Sequence, residues 1–82
     1  MRSRTQRNRA RIKPNFVLET ARRHVLEGEK RVAGQEALVE WLRSSGREVS
    51  TAEFQLKVFK KTLQTMRDHL EFEEQEVQRK RN

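Results

Sequence analysis

Apolar residues recur every seven positions through the chain, in two registers three residues apart. We label these positions a and d of a heptad, because that spacing places both on one face of an α-helix. The repeat predicts a first helix of roughly 28 residues, at about 3.6 residues per turn. Its d positions are mostly small or polar, which favours close approach of a second helix. The a positions are Leu18, Val25, Val32 and Val39, and the d positions are Ala21, Gly28, Gln35 and Leu42.

The segment after this repeat carries the signals of a helix end and a helix start. The first helix is predicted to end at Ser44–Gly46, because glycine readily adopts the left-handed conformation that closes a helix. In the stretch VSTAEF, residues 49–54, Ser50 and Glu53 have the spacing of a capping box. The flanking valine and phenylalanine have the spacing of a hydrophobic staple. A second helix is therefore predicted to start at Ser50–Ala52.

The second helix carries a stronger stripe, with leucine or valine at every a position. A connection of about five residues favours antiparallel packing of the two helices as neighbours. Facing residue numbers should then add to about 91–98, which sets bulky side chains against small ones. The predicted fold class is all-α, an antiparallel, coiled-coil-like two-helix hairpin over residues 15–82. The a positions are Leu56, Leu63, Leu70 and Val77, and the d positions are Ala52, Phe59, Met66 and Glu73.

Each helix also carries apolar side chains away from this seam. They either widen the face buried within the hairpin or cover each other in a dimer of hairpins. The small core favours a homodimer, which would form a four-helix bundle. On the first helix this second strip is Leu26, Ala33, Ala37 and Trp41, with Leu38 beside it. The predicted association residues are Leu38, Trp41, Phe54, Val58 and Phe72.

Composition shows why association would help this chain to fold. Of its 82 residues, 33% are hydrophobic and 38% are charged, which is a thin core for a long charged surface. The chain has no cysteine, so neither a disulfide nor a thiolate metal site supplements that core. The net charge of +7 is uneven. Residues 1–13 hold six of the 19 basic side chains and no acid, whereas residues 14–82 hold 13 basic and 12 acidic side chains.

These basic residues form a predicted arm, residues 1–14, that is expected to be disordered. Its stretch RTQRNRARIK resembles the arginine-rich peptides of viral RNA-binding proteins. Such segments bind phosphates and guanine edges through the paired donors of the guanidinium, and they commonly fold on binding. A solvated terminus has the same composition, so both interpretations stay open. The candidate nucleic-acid residues are Arg2, Arg4, Arg7, Arg9, Arg11 and Lys13.

The sequence contains no recognisable catalytic or cofactor motif, which predicts a non-enzymatic protein without cofactor or metal. His24 and His69 would face each other across the hairpin. The Glu-x-x-His motif of bundle metal sites is nevertheless absent, because Ala21 and Met66 stand three residues earlier. No apolar run approaches the roughly 18 residues of a membrane span, and no hydrophobic region follows the basic start as in a secretory signal. We therefore expect a cytoplasmic protein with no membrane partner.

Part of the chain resembles a group of small bacterial helical-hairpin proteins, mostly from alphaproteobacteria. The similarity covers residues 24–70, through HVLEGEKRVAGQEALVEWLRSSG and then AEFQLKVFKKTLQTMRDHL. Members usually have Asp-Thr before the second helix, where this chain has Val49-Ser50-Thr51. The resemblance implies the hairpin fold and no activity. The residues that carry it are His24, Gly28, Glu29, Gln35, Leu42, Gly46, Ala52, Leu56, Phe59 and His69.

Overall fold

The computed structural model of the chain contains two α-helices and, within residues 2–81, no strand. Helix α1 spans Arg2–Ser44 and helix α2 spans Ser50–Arg81, and the two pack against each other as a hairpin. The predicted all-α hairpin and the predicted helix boundaries at the turn are confirmed. Side chains are described for residues 16–81. Helix α1 has 43 residues rather than the predicted roughly 28, because it begins at Arg2 and so includes residues 2–14 of the predicted disordered arm, residues 1–14. The side chains of that arm lie outside the described part of the chain.

The seam between the helices is the one that the heptads predict. Every a and d position from Leu18 to Val77 is buried or half-buried. None of the large side chains described is completely buried, so the core of the protomer is thin. Trp41 and Phe72 remain more than half exposed, so the alternative in which the hairpin itself buries the second strip is wrong. The buried apolar residues are Ala21, Val25, Val39, Ala52 and Leu63.

Four ion pairs cross one side of the seam and fix its register. They repeat every seven residues on both helices, at heptad position e, four residues after a. In each pair the two residue numbers add to 96, inside the predicted range of about 91–98. The pairs are Arg22–Glu74 at 3.9 Å, Glu29–Arg67 at 3.2 Å, Glu36–Lys60 at 3.8 Å, and Arg43–Glu53.

The order of charges in these pairs opposes a slipped seam. From Arg22 to Arg43, α1 presents one positive, two negative and one positive side chain, and α2 presents the opposite signs at matching levels. A slip of one heptad would set Arg22 opposite Arg67 and Glu36 opposite Glu53. An exposed ion pair contributes only roughly 0–1 kcal/mol. The main effect of the four pairs is therefore a preference for this register over its neighbours.

Two d positions on α1 allow the close approach that their small or polar side chains predict. A Cβ atom built on Gly28 would lie 3.0 Å from Leu63 Cδ1 and 3.3 Å from Met66 Sδ. Ordinary van der Waals contacts are about 3.5–4.0 Å, so the missing side chain of Gly28 is what lets α2 pack here. Further toward the turn, the Gln35 side-chain amide donates to the Ala52 carbonyl at 3.0 Å, which satisfies a half-buried polar group.

Helix α1 ends at the predicted glycine in a Schellman motif. Gly46 has φ 73°, in the left-handed region that glycine adopts without a steric cost. The Arg47 amide donates to the Leu42 carbonyl at 2.8 Å, and the Gly46 amide donates to the Arg43 carbonyl at 3.2 Å. These two bonds define the motif and satisfy carbonyls that the helix end would leave unpaired.

The start of α2 differs from the predicted capping box. The amide of Glu53 donates to the Val49 carbonyl at 2.8 Å, so it is not available to the Ser50 hydroxyl. The Glu48 carboxylate instead accepts from the Ser50 amide at 3.1 Å and from the Ser50 hydroxyl. The side chain of Glu53 pairs with Arg43 across the seam. The predicted box is wrong because a nearer carboxylate caps the helix while the ion pair draws Glu53 away.

The Glu48 cap should make the stability of the hairpin dependent on pH. Hydrogen bonds from the Ser50 hydroxyl, and then from the Ser50 amide, hold the pKa of Glu48 below its ordinary value of 4.5. A carboxyl group whose pKa falls on folding stabilises the protein above its unfolded pKa, and this contribution disappears as the pH drops through the folded pKa. We therefore expect Glu48→Gln to lower the melting temperature at neutral pH, with a difference that shrinks below about pH 4.5.

Thermal unfolding followed by circular dichroism across this pH range checks the prediction. The exposed Glu71, far from the turn on α2, provides the control variant Glu71→Gln. If Glu48→Gln loses the same stability at acid and at neutral pH, the carboxylate cap is not formed.

Candidate interaction surface

The hairpin has two broad faces of opposite character. The charged face carries the four interhelix ion pairs at position e. Positions c and g, two residues after a and one residue before it, lie on the opposite side of each helix from b and e. We call this opposite side the apolar face and define it by Leu38, Trp41, Val58 and Phe72, which all occupy c or g. The faces are distinct because the smallest dimension of the molecule is 14 Å, about one layer of helices.

Four of the five predicted association residues thus share one surface. Trp41 is 52% exposed and Phe72 is 56% exposed, and Leu38 and Val58 are exposed by 42% and 40%. Phe54, the fifth, is also exposed, but its position f places it at the outer edge of α2. Large exposed apolar side chains gathered on one face of a domain usually mark a binding surface.

The second strip predicted for α1 does not form a single surface. Leu26 and Ala33 occupy position b, beside the ion pairs, whereas Trp41 occupies position c on the apolar face. The predicted grouping is wrong because residues 26 and 41 are separated by more than four turns, over which the strip rotates around the helix. Leu26 is 58% exposed, so the charged face has one large apolar side chain of its own.

A groove of about 240 Å³ opens on the apolar face between the two helices. Apolar side chains of α2 and the bare backbone of Gly28 form most of its walls, and Arg31 and Thr62 add polar groups. The groove is lined by Gly28, Arg31, Val58, Phe59, Thr62 and Leu63. This groove was not predicted from the sequence, although the pairing of Gly28 with bulky residues on α2 was its signal.

Trp41 stands at the turn end of the apolar face. The guanidinium carbon of Arg47 lies 4.8 Å from the centre of the Trp41 ring, a cation–π distance. The Trp41 carbonyl accepts from the Ser45 amide at 3.0 Å and from the Ser45 hydroxyl at 2.7 Å. The Trp41 backbone is therefore held by the helix end, while half of the side chain remains free for contact.

The other candidate groups do not assemble into a reactive site. His24 and His69 are both exposed, and His69 Nε2 lies 3.8 Å from a carboxylate oxygen of Glu73 on its own helix. Within the described residues, no three metal-ligating side chains cluster, and neither helix has an apolar stretch long enough to cross a bilayer. The candidate nucleic-acid residues Arg2, Arg4, Arg7, Arg9, Arg11 and Lys13 lie outside the part of the chain whose side chains are described.

The heptad pattern distinguishes a charged face from an apolar face, but the two faces were not predicted from it. Every e position from Arg22 to Arg81 is charged, whereas the c and g positions hold most of the exposed bulky apolar residues. The resemblance to bacterial hairpin proteins rests on residues 24–70 of the sequence alone and stays a prediction. No family model, curated protein or solved structure matches this chain.

Proposed function

We propose that this chain is a non-enzymatic helical-hairpin interaction module that self-associates through its apolar face. The observation that carries the proposal is the segregation of Leu38, Trp41, Val58 and Phe72 onto the face opposite the ion pairs. A second copy supplies a matching apolar surface, and two hairpins stacked on these faces make a four-helix bundle. The charged face stays in water on both sides of such a bundle.

The energetics favour this proposal over a free monomer. An aromatic side chain has roughly 150–250 Å² to bury, so Trp41 and Phe72 each leave on the order of 100 Å² in water. At about 25 cal/mol per Å², covering that area contributes about 2–3 kcal/mol for each side chain. This is large beside the total stability of a small domain, roughly 5–15 kcal/mol. Among the residues whose side chains are described, the protomer has only five buried apolar residues to supply the remainder.

Sedimentation equilibrium of the full chain tests the proposal directly. We expect a dimer at high micromolar concentration that dissociates on dilution, with loss of helical circular dichroism as the monomer loses its supporting partner. A stably folded monomer at high micromolar concentration would contradict self-association and would leave the apolar face to a different protein.

A second candidate function, nucleic-acid binding by the basic arm, has support from the sequence alone. Residues 1–13 carry six positive charges and no negative charge, whereas the rest of the chain is nearly neutral. Neutralised phosphates would make binding fall steeply with salt, without sequence preference. Titrating the chain onto a DNA or RNA duplex across a salt series, with and without residues 1–13, separates this function from the first. Binding that persists without the arm would contradict it.

A further inference from the structure

We propose that two copies pair antiparallel, with Trp41 of each copy seated in the groove of the other. This inference rests on the proposed self-association and names its central contact. The groove and Trp41 belong to the same face of the same chain, one as a hollow and the other as a protrusion. A contact of this kind can form twice around one two-fold axis, which closes the assembly at a dimer.

The groove has the size and chemistry to hold an indole ring. A cavity of about 150 Å³ lined by apolar side chains is enough to bind benzene, and this groove measures about 240 Å³. Phe59 and Leu63 offer apolar walls, and Arg31 stands at the groove with a guanidinium that can cover a ring face. In the protomer, Arg47 already stacks on one face of Trp41, so a partner's Arg31 would repeat that interaction on the other face.

The antiparallel direction follows from the distance between Trp41 and the groove. Trp41 lies ten residues beyond Arg31 on α1, which is about 15 Å toward the turn. In a parallel pair, residues at the same level face each other, so both Trp41 rings would meet at the turn end and both grooves would stay empty. An antiparallel pair centred between Arg31 and Trp41 fills both grooves at once.

Charges agree with this arrangement. In the overlap, Arg31 comes level with Trp41 of the other copy, and Glu27 comes level with its turn, which carries Arg47. The antiparallel order thus brings Glu27 toward the partner's Arg47, and the two-fold axis repeats this meeting of opposite charges at the other end of the contact. The arms, with six positive charges each in residues 1–13, leave the dimer in opposite directions and avoid mutual repulsion.

The contact area predicts a dimer of moderate affinity. The overlap runs from the level of residue 26 to Gly46, about 30 Å along two helices that are each about 10 Å wide. This is on the order of 600 Å² per copy and 1,200 Å² in total, close to the lower size limit of specific interfaces. Phe72, which is level with residue 24 of α1, borders the overlap beside the turn of the other copy. A dimer of this size should dissociate within a dilution series at micromolar concentrations.

The sole tryptophan of the chain reports on this contact. We expect Trp41 emission to move to longer wavelength, and its quenching by iodide to increase, in step with dissociation followed by sedimentation equilibrium on the same dilution series. Thr62→Glu places a carboxylate in the groove without touching the seam, because Thr62 is exposed. It should weaken the dimer by at least roughly tenfold, since the larger side chain occupies the space of the ring, and its carboxylate competes for Arg31 and loses hydration when the partner covers it.

Gln75→Glu is the matched control for the groove variant, because it also replaces a neutral polar side chain of α2 with a carboxylate. Gln75 is exposed, and it lies beyond the overlap, level with residue 21 of α1. We expect its dimer affinity to stay within about a factor of two of the parent chain, a change below about 0.5 kcal/mol.

The outcomes separate this inference from the proposed function. A dimer that dissociates with no change in Trp41 emission or quenching would overturn the seating of Trp41 and leave self-association intact. Equal weakening by Thr62→Glu and Gln75→Glu would overturn the antiparallel overlap. A folded monomer at every concentration, with Trp41 open to iodide, would overturn both proposals and make a different protein the occupant of the face.

Discussion

We expect Trp41→Glu to convert the folded dimer into a monomer that is largely unfolded. The substitution removes the largest exposed apolar side chain of the apolar face and puts a charge in its place. Losing about 2–3 kcal/mol of burial from each copy weakens the dimer by on the order of a thousandfold, at 1.4 kcal/mol per factor of ten. The thin core of the protomer then has to hold two helices together without a partner. Sedimentation equilibrium and helical circular dichroism, measured on the same samples, check both parts of this expectation.

Leu26→Glu is the control for this variant, because it makes the same kind of change on the charged face. Leu26 is 58% exposed on α1, slightly more than Trp41, but it lies beside the ion pairs. We expect it to remain a folded dimer with a melting temperature close to that of the parent chain. If Trp41→Glu remains dimeric, or if Leu26→Glu dissociates as readily, the apolar face is not the association surface.

The sequence predicted the seam of this hairpin well because burial at positions a and d follows directly from helical geometry. A repeat of seven residues keeps both positions on one side of the helix along its length. The short connection with Gly46 then leaves an antiparallel neighbour as the favoured arrangement. Four ion pairs whose residue numbers add to 96 lie inside the predicted range of about 91–98 and set the register, which the sequence did not determine.

Features that depend on competition between neighbouring groups were harder to predict. Ser50 and Glu53 have the spacing of a capping box, yet Glu48 accepts the hydrogen bonds at the helix start and Glu53 pairs with Arg43. Sequence spacing shows which partners are within reach, but it does not rank two carboxylates that reach the same end of a helix. The same reason explains the second strip, whose members lie on both faces because spacing alone does not show where the ion pairs run.

The groove could not be predicted from the sequence either, because it is the space that remains between two packed helices. Gly28 and the bulky residues opposite it were identified, but their sizes do not show whether the space between them is filled. In the structure Leu63 and Met66 approach the backbone of Gly28 closely, while the space beside them, between Arg31 and Thr62, stays open. The close contact of Leu63 and Met66 with α1 and the groove beside it thus both result from the missing side chain of Gly28.

Gly28→Leu should therefore unfold the hairpin or separate its helices. The added side chain would start from a Cβ atom that already lies 3.0 Å from Leu63 Cδ1 and 3.3 Å from Met66 Sδ. Leu63 is among the most buried side chains of the protein and has little room to move. Overpacking a well-filled core typically costs about 1–3 kcal/mol of stability and occasionally more. Leucine adds three carbon atoms beyond Cβ at this close contact, so we expect its loss of stability to lie at or above the upper end of that range. The loss should appear in urea unfolding as a much lower midpoint.

Alanine variants at two glycines separate this packing cost from helix propensity. Replacing glycine with alanine inside a helix stabilises it by about 1 kcal/mol when nothing else changes. At Gly34 nothing stands within 4 Å of an added Cβ atom, so Gly34→Ala should show most of that gain. At Gly28 the same gain is offset by the contact with Leu63, so Gly28→Ala should be less stable than Gly34→Ala in urea unfolding. Equal gains at both positions, together with a well-folded Gly28→Leu, would show that α2 does not pack on the backbone of Gly28.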